Sequence, residues 1–400
     1  MKRGVQIGLT VIAVGIGAIA AFVMGLFVYI NATTRPLHPD PQAVRSVRRA
    51  EPSAKWAAAV EKGKQAARAG LLEQNLPGLS VAVGAAGEIV WAEGLGLADL
   101  DRGVPVTPET RFRVGDASIA LTSAAVGLLV EKNKVNLDAD IQRYVPTFPE
   151  KQWPVTLRQL MAHQAGIRND EGDEEALQVK CERTVDGLQR FASEPLRFEP
   201  GTRYRYSSYG WILVSAAVEG AAGEPFFTFM RTQIFEPLGM TATRPDAWQE
   251  QIPDRATFYF PRFGGDPRYG PEAAREGDQS CFAGAGAFLS TPSDLVRFGL
   301  ALGSGKLLTK PTVEMLQTVQ RTTTDEETGY GLGWKLETVD VGGTPTRMAG
   351  HGTKTDFIGT TTYLMTLPER GIVVAVMTNT SFADTRSIAL KIAQAFAERP

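Results

Sequence analysis

The residues best placed to do chemistry lie in and around Phe112-Arg113-Val114-Gly115-Asp116-Ala117-Ser118-Ile119-Ala120-Leu121-Thr122. An entering strand and a Gly hinge lead there into a helix with almost no polar face before Glu131. A helix that is apolar nearly all round is buried, so its first turn opens into the interior of a fold, where a reactive group can be held rigidly. Asp116 is presented at that start. Its carboxylate can cap the helix by accepting from the N–H of Ser118 or Ile119, or serve as a covalent nucleophile, as carboxylates do in other chemistries. The three histidines, His38, His163 and His351, are dispersed without ligand spacing. No metal is implied, and no organic cofactor.

The elements that must position these groups belong to a chain of 400 residues, 43% hydrophobic and 22% charged, which is enough for a large core. A net charge of −2 gives no electrostatic reason to expect nucleic acid as a partner. Cys181 and Cys281 are too few for a disulfide framework, and both a single bridge and two buried thiols fit the sequence. Val5 to Ile30 is uncharged and apolar apart from Gln6 and Thr10, follows Lys2-Arg3, and lacks a small-x-small cleavage site at its end. It exceeds a signal-peptide core and is long enough to span a bilayer of about 30 Å, so residues 1–31 are expected to be a cytoplasmic stub and an uncleaved membrane anchor. Arg35, Arg45, Arg48 and Arg49 flank the other side of the span and compete with the N-terminal charges in setting its orientation. Residues 32–54, with Pro36, Pro39, Pro41 and Pro52, read as a tether, and residues 55–400 as the folded domain. An amphipathic helix is predicted from Lys55 to about Gln74, and a hairpin from Leu79–Val83 and Ile89–Ala92. Later strands are predicted at Gly359–Met365 and Ile372–Met377, then a helix at Thr385–Ala397, with a mostly helical lobe over about 112–325.

The Phe112–Thr122 frame resembles the serine β-lactamase and penicillin-binding-protein superfamily, in its class C, esterase and mitochondrial β-lactamase-like branch. That family reads F-R-x-G-S-x-S-K-x-x-T here, with the Ser of S-x-x-K as acyl acceptor and the Lys, one helical turn on, managing its proton. Asp116 holds the Ser position and Ile119 the Lys position, and no other S-x-x-K occurs in the chain. Further blocks follow in order. Val155 to Ile167 resembles the family's I-T-x-x-x-L-L-x-H-x-S-G-I, where His163 is expected to be structural. Phe198 to Gly210 resembles F-x-P-G-x-x-Y-x-Y-S-N-x-G, which makes Tyr206 the active-site tyrosine and Ser208 the residue at the Asn position. Gly350-His351-Gly352-Thr353 resembles the K-T-G or H-x-G strand lining the site, with His351 as its basic side chain. Ala283–Gly286, Ser290–Leu295 and Gly329–Trp334 also match, and read as turn and capping chemistry. The resemblance covers about residues 76–395 and implies an α/β (α+β) β-lactamase/transpeptidase-like fold, an antiparallel sheet flanked by helices plus the helical lobe.

An acyl-serine mechanism needs an unhindered hydroxyl and a group to take its proton; Asp116 is a poor substitute for the first and Ile119 supplies no base. Where a catalytic set acts as a unit, losing one key member costs about 10⁶ in turnover. The expected function is therefore that of a membrane-anchored, catalytically degenerate relative, with its domain extracytoplasmic, that binds a peptide, a cell-wall fragment or a protein partner in the cleft. The alternatives are an active hydrolase of esterase, peptidase or β-lactamase type using Asp116 or Ser118 as nucleophile, and a structural or assembly role. The acidic run from Asn169 to Glu175 reads as a solvated loop and not a calcium site.

Overall fold

The computed structural model describes residues 2–169, 179–247, 249–274, 276–352 and 358–398. Most of the acidic run and the segment after Gly352 lie outside the described residues. Eight strands build one antiparallel sheet: Ser46–Arg48 (β1), Gly78–Ala85 (β2), Glu88–Asp99 (β3), Val104–Pro105 (β4), Lys335–Val341 (β5), Thr344–Gly352 (β6), Thr361–Leu367 (β7) and Ile372–Thr378 (β8). Their order is β1-β3-β2-β8-β7-β6-β5, with β4 beside β3. The sheet is closed across the sequence by β2 and β8, where Val83 faces Val374. The predicted hairpin and final strands are therefore the central strands.

Two-residue alternation sorts the central side chains between the faces. Val81, Val83, Val374 and Val376 join a core with Val60, Leu71, Ile388 and Ile392 from two helices, Ala57–Glu73 and Thr385–Ala397. Ala82, Val373, Ala375 and Met377 face the opposite core, which holds Leu295 and Val296 of a third helix, Pro292–Gly303, and continues into the helical lobe. Six longer helices are labelled in chain order: α1 (Lys2–Thr33), α2 (Ala57–Glu73), α3 (Ser118–Glu131), α4 (Ser208–Ala222), α5 (Pro292–Gly303) and α6 (Thr385–Ala397). Both faces of the central strands are covered, which is why β2 and β8 read as continuous apolar runs.

α3 is buried along its length, as its lack of a polar face requires. Its few hydroxyls find internal acceptors: Thr122 Oγ1 donates to the carbonyl of Gly284 at 2.9 Å and Ser123 Oγ to that of Leu332 at 2.5 Å. Cys181 and Cys281 are joined by a disulfide that closes a separation of 100 residues.

The expected tether is not free. Ser46–Arg48 pairs antiparallel with β3, and Ser46 Oγ bonds the carboxylate of Glu93, a buried group also held by Lys64 and Trp91. Burial pushes the Glu93 carboxyl up, but these bonds outweigh it and leave it lowered. Upstream, Asn75 Oδ1 accepts from the N–H of Leu37 at 2.8 Å and His38 Nε2 lies 2.9 Å from the carbonyl of Leu76. Beyond the end of α1, prolines limit the segment's own regular structure to a 3₁₀ turn at Pro41–Ala43, and on either side of β1 the Arg45 carbonyl accepts from Gly96 and the Arg49 N–H donates to Ala92 of β3. Ahead of it, Val14 to Thr33 of α1 is a solvent-exposed apolar helix long enough to cross a membrane.

Candidate active site

Asp116 reaches the site through a short strand and a turn. Phe112–Arg113 pairs with Phe288–Ser290, and Gly115 then takes φ 55°, a left-handed value that favours glycine, to start a 3₁₀ turn at Gly115–Ala117. Asp116 sits inside that turn and not at the cap of α3, so the expected capping role passes to backbone geometry. It lines a cavity of about 780 Å³ together with Tyr204, Tyr206, Tyr330, Lys335 and His351, whose far wall is the start of α6 and the loop before it.

His351 stands on β6 opposite Leu364, buried, with Nε2 2.7 Å from the Tyr330 hydroxyl. Burial, with the charge of Lys335 adding to it, pushes the imidazole down to about 3, so it is neutral and a weak base near pH 7. Tyr330 is raised well above the usual phenol range by burial, then by Tyr204 and by the Asp116 carboxylate. Tyr204 is pushed up to about 12 by burial. These hydroxyls therefore stay protonated and act as hydrogen-bonding groups.

His163 packs behind this wall, its ring centroid 4.4 Å from Tyr206 and 4.7 Å from Tyr330. Its Nδ1 accepts from the N–H of Ser207 at 3.1 Å, and burial holds its pKa well below the ordinary value. This is the structural role expected of it. Ser207 fixes the next residue boundary: its hydroxyl donates to the carbonyl of Arg168 at 2.6 Å and accepts from the N–H of Gly210 at 3.1 Å, capping α4 directly after Tyr206. Ser207→Ala is expected to cost about 1–2 kcal/mol, measured as a lowered denaturation midpoint, since it removes a buried cap bond.

Of the sequence candidates, Asp116, Tyr206 and His351 meet at the cavity, and Ile119 and Ser208 do not line it. Ile119 is fully buried in the apolar core. Ser208 turns to Asn169, whose Oδ1 accepts both its hydroxyl at 2.7 Å and its N–H at 2.8 Å. Ser118, the other hydroxyl considered, is fully buried away from the cavity. The Thr353 end of the strand motif lies outside the described residues.

Sequence reasoning missed Tyr330, Lys335 and Arg386. Tyr330 lies between two glycines that read as turn chemistry, yet it shares the alternation of the apolar Leu332 and Trp334, two and four residues on, and is buried with them. Lys335 and Arg386 meet through Glu337 of β5, the lysine at 2.8 Å, so two cations share one carboxylate at the cavity wall. The site thus offers a carboxylate, protonated phenols and a cationic pair, a set suited to orienting a polar ligand.

The beta-lactamase family profile matches residues 56–397. The mitochondrial serine beta-lactamase-like protein LACTB of Homo sapiens is 29% identical over 430 residues, covering 81% of this chain and 77% of that protein. Among solved structures, the octameric penicillin-binding protein homologue from Pyrococcus abyssi superposes with a TM-score of 0.69 at 23% identity, covering 83% of this chain and 76% of that one. FmtA from Staphylococcus aureus gives 0.71 at 18% identity, with 91% and 95% covered. With the sheet, the lobe and the ordered blocks in agreement over nearly the whole chain, it belongs to the beta-lactamase family.

Proposed function

We propose that this protein is a membrane-anchored, catalytically degenerate member of its family that binds a peptide, a cell-wall fragment or a protein partner in the retained cleft. The observation that carries the reading is the pairing of an open cavity with Asp116 on its wall and Ile119 sealed in the core. By resemblance those positions belong to the acyl-accepting Ser and its Lys. A carboxylate facing the cavity has no hydroxyl to acylate, the neutral His351 is too weak a base to replace a lysine, and Ser118 has no route to a substrate. The proposed division is an anchor at 1–31, the docked segment 32–54 and the domain 55–400, with the domain extracytoplasmic. The Cys181–Cys281 bridge supports an oxidising compartment.

The test is the intact mass of the full chain, in detergent, after exposure to a penicillin and to a fluorophosphonate, beside an Asp116→Ser/Ile119→Lys variant. No adduct on the parent and an adduct on the variant is the expected result. An adduct on the parent, mapped to Asp116 or elsewhere, would overturn degeneracy in favour of a hydrolase with a non-standard nucleophile, the reading that the place of Asp116 on the cavity wall otherwise favours.

A further inference from the structure

Between the strands Tyr259–Pro261 and Pro271–Ala273 a loop turns back at the end of α1. Its tip carries Phe263, a non-glycine residue at φ 62° that is 47% exposed. An aromatic held in the left-handed region and turned toward solvent has no folding advantage, and strain of this kind concentrates where a surface is used. Phe263 meets Tyr29 of α1 edge to face, ring centroids 6.2 Å apart. Arg262 lies over the Phe263 ring at 5.2 Å and donates from Nη2 to the carbonyl of Thr33, the last residue of α1, at 3.1 Å. Asn75 clamps the two segments, donating to the carbonyls of Arg35 at 3.2 Å and Arg268 at 3.3 Å.

The loop is therefore fixed to the end of the anchor helix, at the depth where a spanning helix meets the headgroups. Its composition suits that depth: Phe263 beside Tyr29 continues an aromatic belt, and although Arg268 pairs with Asp266 at 2.7 Å, Arg262 leaves the loop one net positive charge. The same loop supplies Gly265 to the cavity wall.

The geometry points to Arg262–Gly270 as a second membrane contact, with Phe263 entering the boundary between headgroups and acyl chains and Arg262 and Arg268 facing anionic headgroups, so that the candidate site opens at the bilayer surface. Ligands then reach the cavity along the membrane. This rests on the membrane-anchor part of the proposed function.

The experiment uses the full chain reconstituted into phosphatidylcholine vesicles containing phosphatidylglycerol, with a bimane label on Phe263→Cys and, as reference, on Lys310→Cys, an exposed position on the helix Lys310–Leu316. Quenching by a lipid spin-labelled near the headgroup is expected to be several-fold stronger at position 263 than at 310. Equal quenching in vesicles that carry the protein would overturn the contact while leaving the anchor intact. A chain that fails to float with the vesicles would overturn the anchor and this surface with it. Should Phe263→Cys lower the thermal midpoint of the parent, the label moves to Arg268→Cys, whose side chain is 68% exposed, and the same two outcomes decide.

Discussion

Lowering the pH from about 6.5 to about 4.5 is expected to strip the folded domain of several kcal/mol, before most carboxylates protonate. The cause is the pair of buried histidines. Burial lowers His351 to about 3 and His163 well below its ordinary value, and each is neutral in the fold. A folded-state pKa below the unfolded one means that the unfolded chain binds more protons. The stabilisation is thus fully present above the unfolded histidine value near 6.5 and is lost as pH falls toward the folded value. Each histidine contributes a slope of about 1.4 kcal/mol per pH unit inside that window, and total stabilities of about 5–15 kcal/mol leave little reserve.

Glu93, Glu131, Asp138 and Glu337 are held below their usual range in the fold, so their own loss begins only near and below 4.5. Asp294, raised by burial, acts in the opposite sense, and its free-state value lies below the window's lower edge. Denaturant midpoints across pH 4.5–7 check the slope. His351→Gln, which keeps a hydrogen-bonding group toward Tyr330, should remove about half of it; a flat profile in the parent would mean that neither ring is buried as neutral imidazole.

How much of this was legible in the sequence depends on whether a residue's role is local. The central strands were readable because Val81 to Val83 and Val373 to Val376 carry unbroken apolar character, and α6 because its caps and period agree. The partial burial of Tyr206 and the docking of β1 were not local facts. Ser46–Arg48 has no strand signal of its own; it becomes a strand because β3 presents an unpaired edge and Glu93 an acceptor for Ser46. Tyr330 was hidden for a similar reason, since its partner His351 lies 21 residues away and only the β5–β6 hairpin brings them together. Ser208 does not line the cavity, and the Asn169 that holds its hydroxyl lies nearly 40 residues upstream, out of reach of any local reading.

Replacing Arg113 by methionine is expected to destabilise the domain by about 3–5 kcal/mol, as removal of one member of a buried ion pair does. Arg113 is almost wholly buried, and burial pulls its guanidinium down while Asp246 supports its charge. Its Nε donates to Asp246 Oδ2 at 2.6 Å and its Nη1 to the carbonyl of Ile358 at 2.8 Å, with the guanidinium 4.4 Å from the Phe258 ring. Methionine fills the volume but takes from the buried Asp246 carboxylate one of its two guanidinium partners and leaves the Ile358 carbonyl without its Arg113 donor. Arg255 bonds both oxygens of Asp246, Oδ1 at 3.0 Å and Oδ2 at 3.3 Å, which holds the loss to the lower end of that range without cancelling it. The Arg113 carbonyl also accepts from the hydroxyls of Thr360 and Thr362, bonds that survive the substitution and keep the strand before Asp116 in register. The variant should therefore lose stability while an Asp116→Ser/Ile119→Lys background still acylates in the cold. An Arg113→Met/Asp246→Leu pair should recover part of the loss, because it removes the under-paired buried carboxylate while Arg255 keeps Glu276. Equal midpoints for parent and Arg113→Met would show that the pair contributes nothing, and loss of acylation without loss of stability would move Arg113 from the frame of the site into its chemistry.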